Sequence, residues 1–463
     1  MSGAPQTCDI LILNGLVVTM DDERRLLDRG AVAVRGNRIV GVEAGSDSKH
    51  WQAERTIDCS GGVVIPGLVD CHNHLFQSLA RGLGEGLPLL GWLKELMWPL
   101  ALTMTREEAR IAASLGAVEA VGSGITCVVD NHYSPPDFES TMAVADAMDT
   151  VGLRGIVAKG MFGGPTEVTD RRGLPAELLQ HSTEQELEIT RECILSRPPT
   201  GRIGIWPAPV NLVNAEQELV RRSVELAREY RLRWHTHCSE SKSDPALYQE
   251  VYGISPVEWL SSEGLLGDAT LAHAIWLSDR EIDLIGETAT GISHNPVSNQ
   301  YLASGIMRLG DLREAGAVVG LGTDGASAGH RQDPFELMKA AVLLQRVATL
   351  DPSVATAQLA LELATREGAR YAGVDAGVLA PGKLADIVVI GLDGPHLCPL
   401  HEVVPALVYS VRAPDVELTM IDGVIVYEAG RFLRVDAGEV MEEGQARSRE
   451  LMDRVQTRGF RSS

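Results

Sequence analysis

The chain is poor in what would bind it to a polyanion, a lipid or an oxidising compartment. Its seven cysteines (Cys8, Cys59, Cys71, Cys127, Cys193, Cys238 and Cys398) include no CxxC pair. So odd and dispersed a set excludes a disulfide framework, and reduced, often buried thiols are expected. No apolar run is long enough for a membrane span, and the opening MSGAPQTCDILILNG lacks a charged signal-type region, so a cytoplasmic location without a membrane partner is expected. Positive charge is scarce: 41 Lys and Arg stand against 63 Asp and Glu, a net charge of −22, with no basic block to meet a phosphate backbone. Nucleic acid is thereby excluded as a partner. No Walker-type run occurs and no Gly-rich nucleotide turn follows the first strand, which argues against a doubly wound nucleotide-binding sheet.

What is present is a long chain with ample apolar material. At 463 residues and 44% hydrophobic, it calls for one large domain and a smaller one. Residues 1–65 carry short β-type runs (Ile10 to Leu13, Leu16 to Thr19, Ala31 to Val34, Arg38 to Val42) separated by turn signals, a pattern that predicts a small antiparallel sheet. The same grammar returns in residues 376–463, where Asp422-Gly423 marks a hairpin and residues from about 437 to 459 have helical spacing. Between them, residues 66–375 alternate short apolar runs with amphipathic stretches such as Arg106 to Val121 and Ala215 to Tyr230. Eight runs, beginning near Val64, Ile125, Leu153, Ile203, Leu232, Thr270, Gly291 and Ala317, predict an α/β fold of (β/α)8 TIM-barrel type, with chemistry at the C-terminal strand ends.

Those ends carry the chemistry. His72 and His74 close the first run two residues apart, so both imidazoles face one side and can share a cation. The fifth run ends HTHCSE, where His235 and His237 have the same strand parity; His237 is favoured as the ligand because only it stands three residues before a carboxylate, Glu240. His235 reads as a packed or supporting histidine. His273 ends the sixth run and Asp324 the eighth. Three imidazoles and a carboxylate suit zinc or ferrous iron with room left for water, and Glu240 stands where a base could take that water's proton.

The motifs HNH after VVIPGLVD, HTHCSE, LAHAIWL, SHNPVSNQYLASGI, LGTDGAS and PGKLADIVVI together resemble the amidohydrolase superfamily over nearly the whole chain. Within it they resemble the branch of triazine hydrolases and aminoheterocycle deaminases, atrazine chlorohydrolase and melamine deaminase being nearest in texture. The resemblance implies one divalent metal, zinc with ferrous iron as the alternative, held by His72, His74, His237 and Asp324. It also implies Glu240, His273 and Asp324 as catalytic groups, a small β-sandwich built from both chain ends, and a homodimer. Gln77 and Trp92 match positions that line the pocket in triazine hydrolases, while His294 matches the family pattern at the end of the seventh strand as a buttress to the site. His132 either reaches the pocket mouth or is an exposed loop residue.

Two departures narrow the substrate. Adenosine-type members carry a ribose-gripping glutamate where this chain has Ala101, and a histidine where it has Ala208, which disfavours a nucleoside. Gly325, Ala326, Ser327 and Ala328 follow Asp324 where triazine enzymes carry polar groups, which counts against atrazine or melamine itself. The expected activity is deamination of a small aminated nitrogen heterocycle (aminopurine base, pterin or s-triazine) by metal-activated water. Cleavage of a C–Cl or C–S bond or of a cyclic amide in the same site is the alternative.

Overall fold

The computed structural model describes residues 6–45, 50–198 and 200–458. Five strands open the chain: β1 (Gln6–Val18), β2 (Leu26–Arg35), β3 (Arg38–Glu43), β4 (Trp51–Asp58) and β5 (Gly62–Pro66). Eight buried strands follow, alternating with helices: β6 (Leu68–Asn73), β7 (Ile125–His132), β8 (Arg154–Met161), β9 (Ile203–Pro209), β10 (Trp234–Cys238), β11 (Ala269–His273), β12 (Gly291–His294) and β13 (Val318–Leu321). The chain returns to β14 (Ile387–Gly391), β15 (Val416–Ile421), β16 (Val424–Glu428) and β17 (Arg431–Phe432), and its last described helix is Ala437–Thr457. The expected helix end at 459 and the first five residues lie outside the described residues.

The eight central strands form two parallel four-stranded sheets, β6-β7-β8-β9 and β10-β11-β12-β13. Hydrogen bonds at the strand ends join them: Leu212 N–H donates to His237 O at 3.0 Å, and Asp324 N–H to His72 O at 2.9 Å. Both-face burial explains why these strands read as continuous apolar runs rather than alternating ones. The helices carry local signals that fix their ends, as in Arg106–Gly122, where Thr105 and Glu108 form a reciprocal capping box.

Strands from the two chain ends make one nine-stranded sheet, ordered β17-β16-β15-β14-β5-β1-β2-β3 with β4 beside β1. Two sequence expectations need correction. The sheet is mixed rather than antiparallel, because β1 pairs in parallel with both β4 and β5. The apolar run VVIPGLVD is also two strands in two sheets: Pro66 offers no N–H to continue a ladder, and a side chain at Gly67 would sit 2.1 Å from Thr126 Oγ1. The hairpin is as expected, with Asp422 and Gly423 both at positive φ (57° and 75°).

A buried ion pair ties this sheet to the parallel strands. Arg154, opening β8, makes a bidentate contact with Asp386 (2.8 and 3.2 Å) and reaches Asp422 at 2.9 Å. Removing the cation alone strands a carboxylate that is 1% exposed. Arg154→Ala should therefore cost about 3–5 kcal/mol in chemical denaturation, and a loss below about 1 kcal/mol would show that the two sheets do not depend on this pair.

Candidate active site

Each imidazole is presented by a strand end and oriented by a group that can only accept. His74 Nδ1 lies 2.7 Å from the carbonyl of Asn131, and His237 Nδ1 2.5 Å from that of Val210. A carbonyl has no proton to give, so both rings carry N–H at Nδ1 and a bare lone pair at Nε2. His72 reaches the same tautomer by a relay. The Thr270 hydroxyl donates to Trp234 O (2.8 Å), which leaves it an acceptor toward His235 Nδ1 (3.0 Å), a nitrogen that the Tyr371 hydroxyl also approaches at 3.4 Å; with the proton on Nδ1, His235 Nε2 accepts from His72 Nδ1 at 3.0 Å.

Three lone pairs thus converge in a dry space. His74 Nε2 and His237 Nε2 stand 3.1 Å apart with no proton between them, and His72 Nε2 is buried with no hydrogen-bond partner. Asp324 Oδ1 lies 3.6 Å from His72 Nε2 and 3.4 Å from His74 Nε2. Ligands about 2.0–2.1 Å from one tetrahedral ion lie about 3.3 Å apart, close to these separations. The donor set fits a divalent metal and is otherwise repulsive. Burial and the neighbouring imidazoles hold His72 and His237 well below the usual histidine pKa, which keeps the lone pairs free.

The turn carrying Asp324 is tightly constrained. Asp324 adopts φ +60°, a left-handed conformation unusual for a side-chain-bearing residue, and Ser298 Oγ donates to its Oδ2 at 2.6 Å. Gly322 lies so close to Asn295 Oδ1 that a Cβ there would sit 2.4 Å away. Beneath the turn, Asp70 accepts from Thr323 N–H (3.0 Å) and from Asn73 Nδ2 (2.8 Å), pinning β6 to the end of β13.

Beside the donor set, Glu240 and His273 face each other, with His273 Nε2 3.6 Å from Glu240 Oε2 and 3.9 Å from Asp324 Oδ2. Burial pushes the Glu240 carboxyl up to about 7, against the opposing pull of His273. His273 Nδ1 is held 2.9 Å from Asn299 Oδ1.

A pocket of about 560 Å³, including its mouth, opens onto these groups, and His74, His237, Glu240, His273 and Asp324 line its inner end. Trp92 is among its lining residues. Gln77 is placed differently: it is fully buried outside the lining, with Oε1 accepting from Ser327 Oγ at 2.6 Å. His294 is likewise buried outside the lining, with both ring nitrogens unpartnered. His132 is neither exposed nor at the mouth; it is buried, and its ring lies 6.2 Å from Phe76. Sequence reasoning missed Trp98, Tyr133, Phe162, Asn211 and Asn214, which complete the walls. All lie near strand ends or in connecting segments, where no periodicity singles them out.

The amidohydrolase family model matches residues 63–426, and the chain belongs to that family. Among curated proteins it is 35% identical to a 5'-deoxyadenosine deaminase of Methanothermobacter thermautotrophicus, over 91% of this chain and 95% of the other. It is 37% identical to a 5-methylthioadenosine/S-adenosylhomocysteine deaminase of Thermococcus onnurineus, over 90% and 93%. Among solved structures it resembles a zinc-bound adenosine deaminase of Xanthomonas campestris (TM-score 0.89, 27% identity, 98% of this chain and 100% of that one). It also resembles a zinc-complexed atrazine chlorohydrolase of Arthrobacter aurescens (TM-score 0.86, 25% identity, 95% and 100%). No helix among the described residues is long and apolar enough to cross a membrane.

Because His235 fixes the tautomer of His72, His235→Phe should weaken zinc affinity by roughly 10–100-fold, as supporting groups around metal ligands typically do. Competition with a chromogenic chelator measures this; unchanged affinity would show that the relay is packing only.

Proposed function

We propose that this chain is a metal-dependent hydrolytic deaminase of amino-substituted nitrogen heterocycles, with His72, His74, His237 and Asp324 as ligands and Glu240, His273 and Asp324 as the groups that move protons. The observation that carries the reading is the set of converging Nε2 lone pairs with a buried acid, Glu240, beside them. In this reading the eight central strands close as a (β/α)8 barrel that holds the site at its C-terminal end. The cation, zinc by the character of the donors and by the two zinc-bound structural relatives, would supply Lewis acidity that lowers the pKa of water toward neutrality.

The protein's own groups do the rest. Glu240 takes the proton of the attacking water and hands it to the ring nitrogen beside the reacting carbon, so the adduct is neutral rather than a ring anion. A carboxyl poised near 7 can do both at neutral pH. In its doubly protonated form, with Nδ1–H held by Asn299 Oδ1, His273 donates from Nε2 to the oxygen as it gains charge. Asp324 passes the second proton to the departing amine, and ammonia leaves with a ring carbonyl behind.

The relatives' names point to aminopurines carried on nucleosides. In this pocket, Glu240 and Asp324 are the lining carboxylates, and both sit at the reacting end. Ala101, on the helix of Trp98, and Ala208, in β9, are buried and bring no polar group. The aminopurine base is therefore the preferred substrate over its nucleoside. Structural likeness to a chlorohydrolase supports a second reading, a leaving group other than an amine.

Two outcomes follow. Ammonia release from a panel of aminated bases should exceed that from the matching nucleosides at least tenfold in kcat/KM; nucleosides turning over faster would reverse the choice, and halide release without ammonia would establish the second reading. Glu240→Gln should keep metal near one equivalent per chain while lowering kcat at least a hundredfold; near-normal turnover would remove Glu240 from the proton path.

A further inference from the structure

Two asparagines on the segment after β9 line the pocket, and their neighbours dictate which way each amide points. The backbone N–H of Val213 donates to Asn211 Oδ1 at 3.0 Å. The guanidinium of Arg172 donates to Asn214 Oδ1 at 3.4 Å. Neither a peptide N–H nor a guanidinium can accept, so in both residues the oxygen is committed to the protein. Both NH2 groups are left without a hydrogen-bond partner among the described residues.

The arrangement is braced. Arg172, 5% exposed, is clamped by Asp244, 1% exposed, which also holds the Ser241 N–H (3.0 Å) next to Glu240. Asn211 and Asn214 close a turn through an N–H to O bond of 3.0 Å, and Asn211 forms a bridge with His237. Rotating either amide would set its NH2 against a donor, a costly mismatch in a partly buried wall. The lining carboxylates Glu240 and Asp324 are assigned to the reacting end, and the indole N–H of Trp92 is buried without a partner.

We infer that the pocket selects aminated heterocycles whose edge facing the segment after β9 carries hydrogen-bond acceptors, a ring carbonyl above all, with the Asn211 and Asn214 amides as the selecting groups. This rests on the deaminase reading above. An oxo group offers two lone pairs to these donors; an amino group at the same position brings hydrogens against hydrogens, and a site built to hydrogen-bond discriminates strongly against such a mismatch.

The experiment uses pairs differing only in that group: 2,6-diaminopurine against 2-oxo-6-aminopurine, and melamine against its mono-oxo derivative. Both ammonia release and calorimetric binding to the metal-loaded enzyme are measured. The oxo member of at least one pair should be preferred tenfold or more, in kcat/KM or in Kd. Asn214→Asp, which replaces the NH2 with an acceptor, should shrink or invert the ratio, and Asn214→Ala should bring it toward one; a melting curve for each variant verifies folding. Equal use of both members, preference for the amino member, or a ratio unchanged in both variants overturns the inference while leaving deamination intact. Failure of the deaminase reading is separate: no ammonia from any compound, while calorimetry still reads the preference.

Discussion

The centre of this structure is a set of lone pairs that have nothing to bond to within the protein. Two Nε2 atoms face each other across 3.1 Å, a third is buried and unpartnered, and a carboxylate oxygen stands close by. Such an assembly repels itself unless a cation sits among its members. Much of the surrounding architecture serves to prevent the simple escape, a ring flip or a change of tautomer. Each Nδ1 proton is committed to a carbonyl, or to a relay that ends at one. The strained Asp324 turn is held from below by Asp70 and from the side by Ser298.

The reacting groups follow from the same dryness. Burial that would be a liability for a lone carboxylate raises Glu240 into the range where it can accept and return a proton at neutral pH. Burial keeps the imidazoles neutral and able to ligate. Aromatic side chains, Trp92, Trp98, Tyr133 and Phe162, make much of the pocket wall, a lining suited to a flat ring.

The ligand residues were legible in the sequence because strand geometry is periodic. A histidine pair two apart at the end of an apolar run must share a side, and separate strand ends converge in an α/β fold of repeated units. His237 was separable from His235 only through its distance to Glu240; in the structure His235 Nε2 lies 3.0 Å from His72 Nδ1. Less was legible where function depends on three-dimensional coincidence. The Thr270 relay, the Ser298 bond to Asp324 and the Arg172 brace on Asn214 join residues 26 to 42 positions apart, and no spacing rule announces them. Gln77 lay on the right segment, but its side chain turns to Ser327 rather than to the pocket. The split of VVIPGLVD was signalled by Pro66-Gly67 inside the run, a breaker outweighed by the apolar residues around it.

The most direct measurement is anomalous diffraction at the zinc absorption edge from crystals of the zinc-loaded protein. The account predicts a single strong peak in the space enclosed by the Nε2 atoms of His72, His74 and His237 and by Asp324 Oδ1, at bonding distance from all four. A peak bound elsewhere, or an empty site with those three imidazoles hydrogen-bonded to one another through added protons, would contradict it.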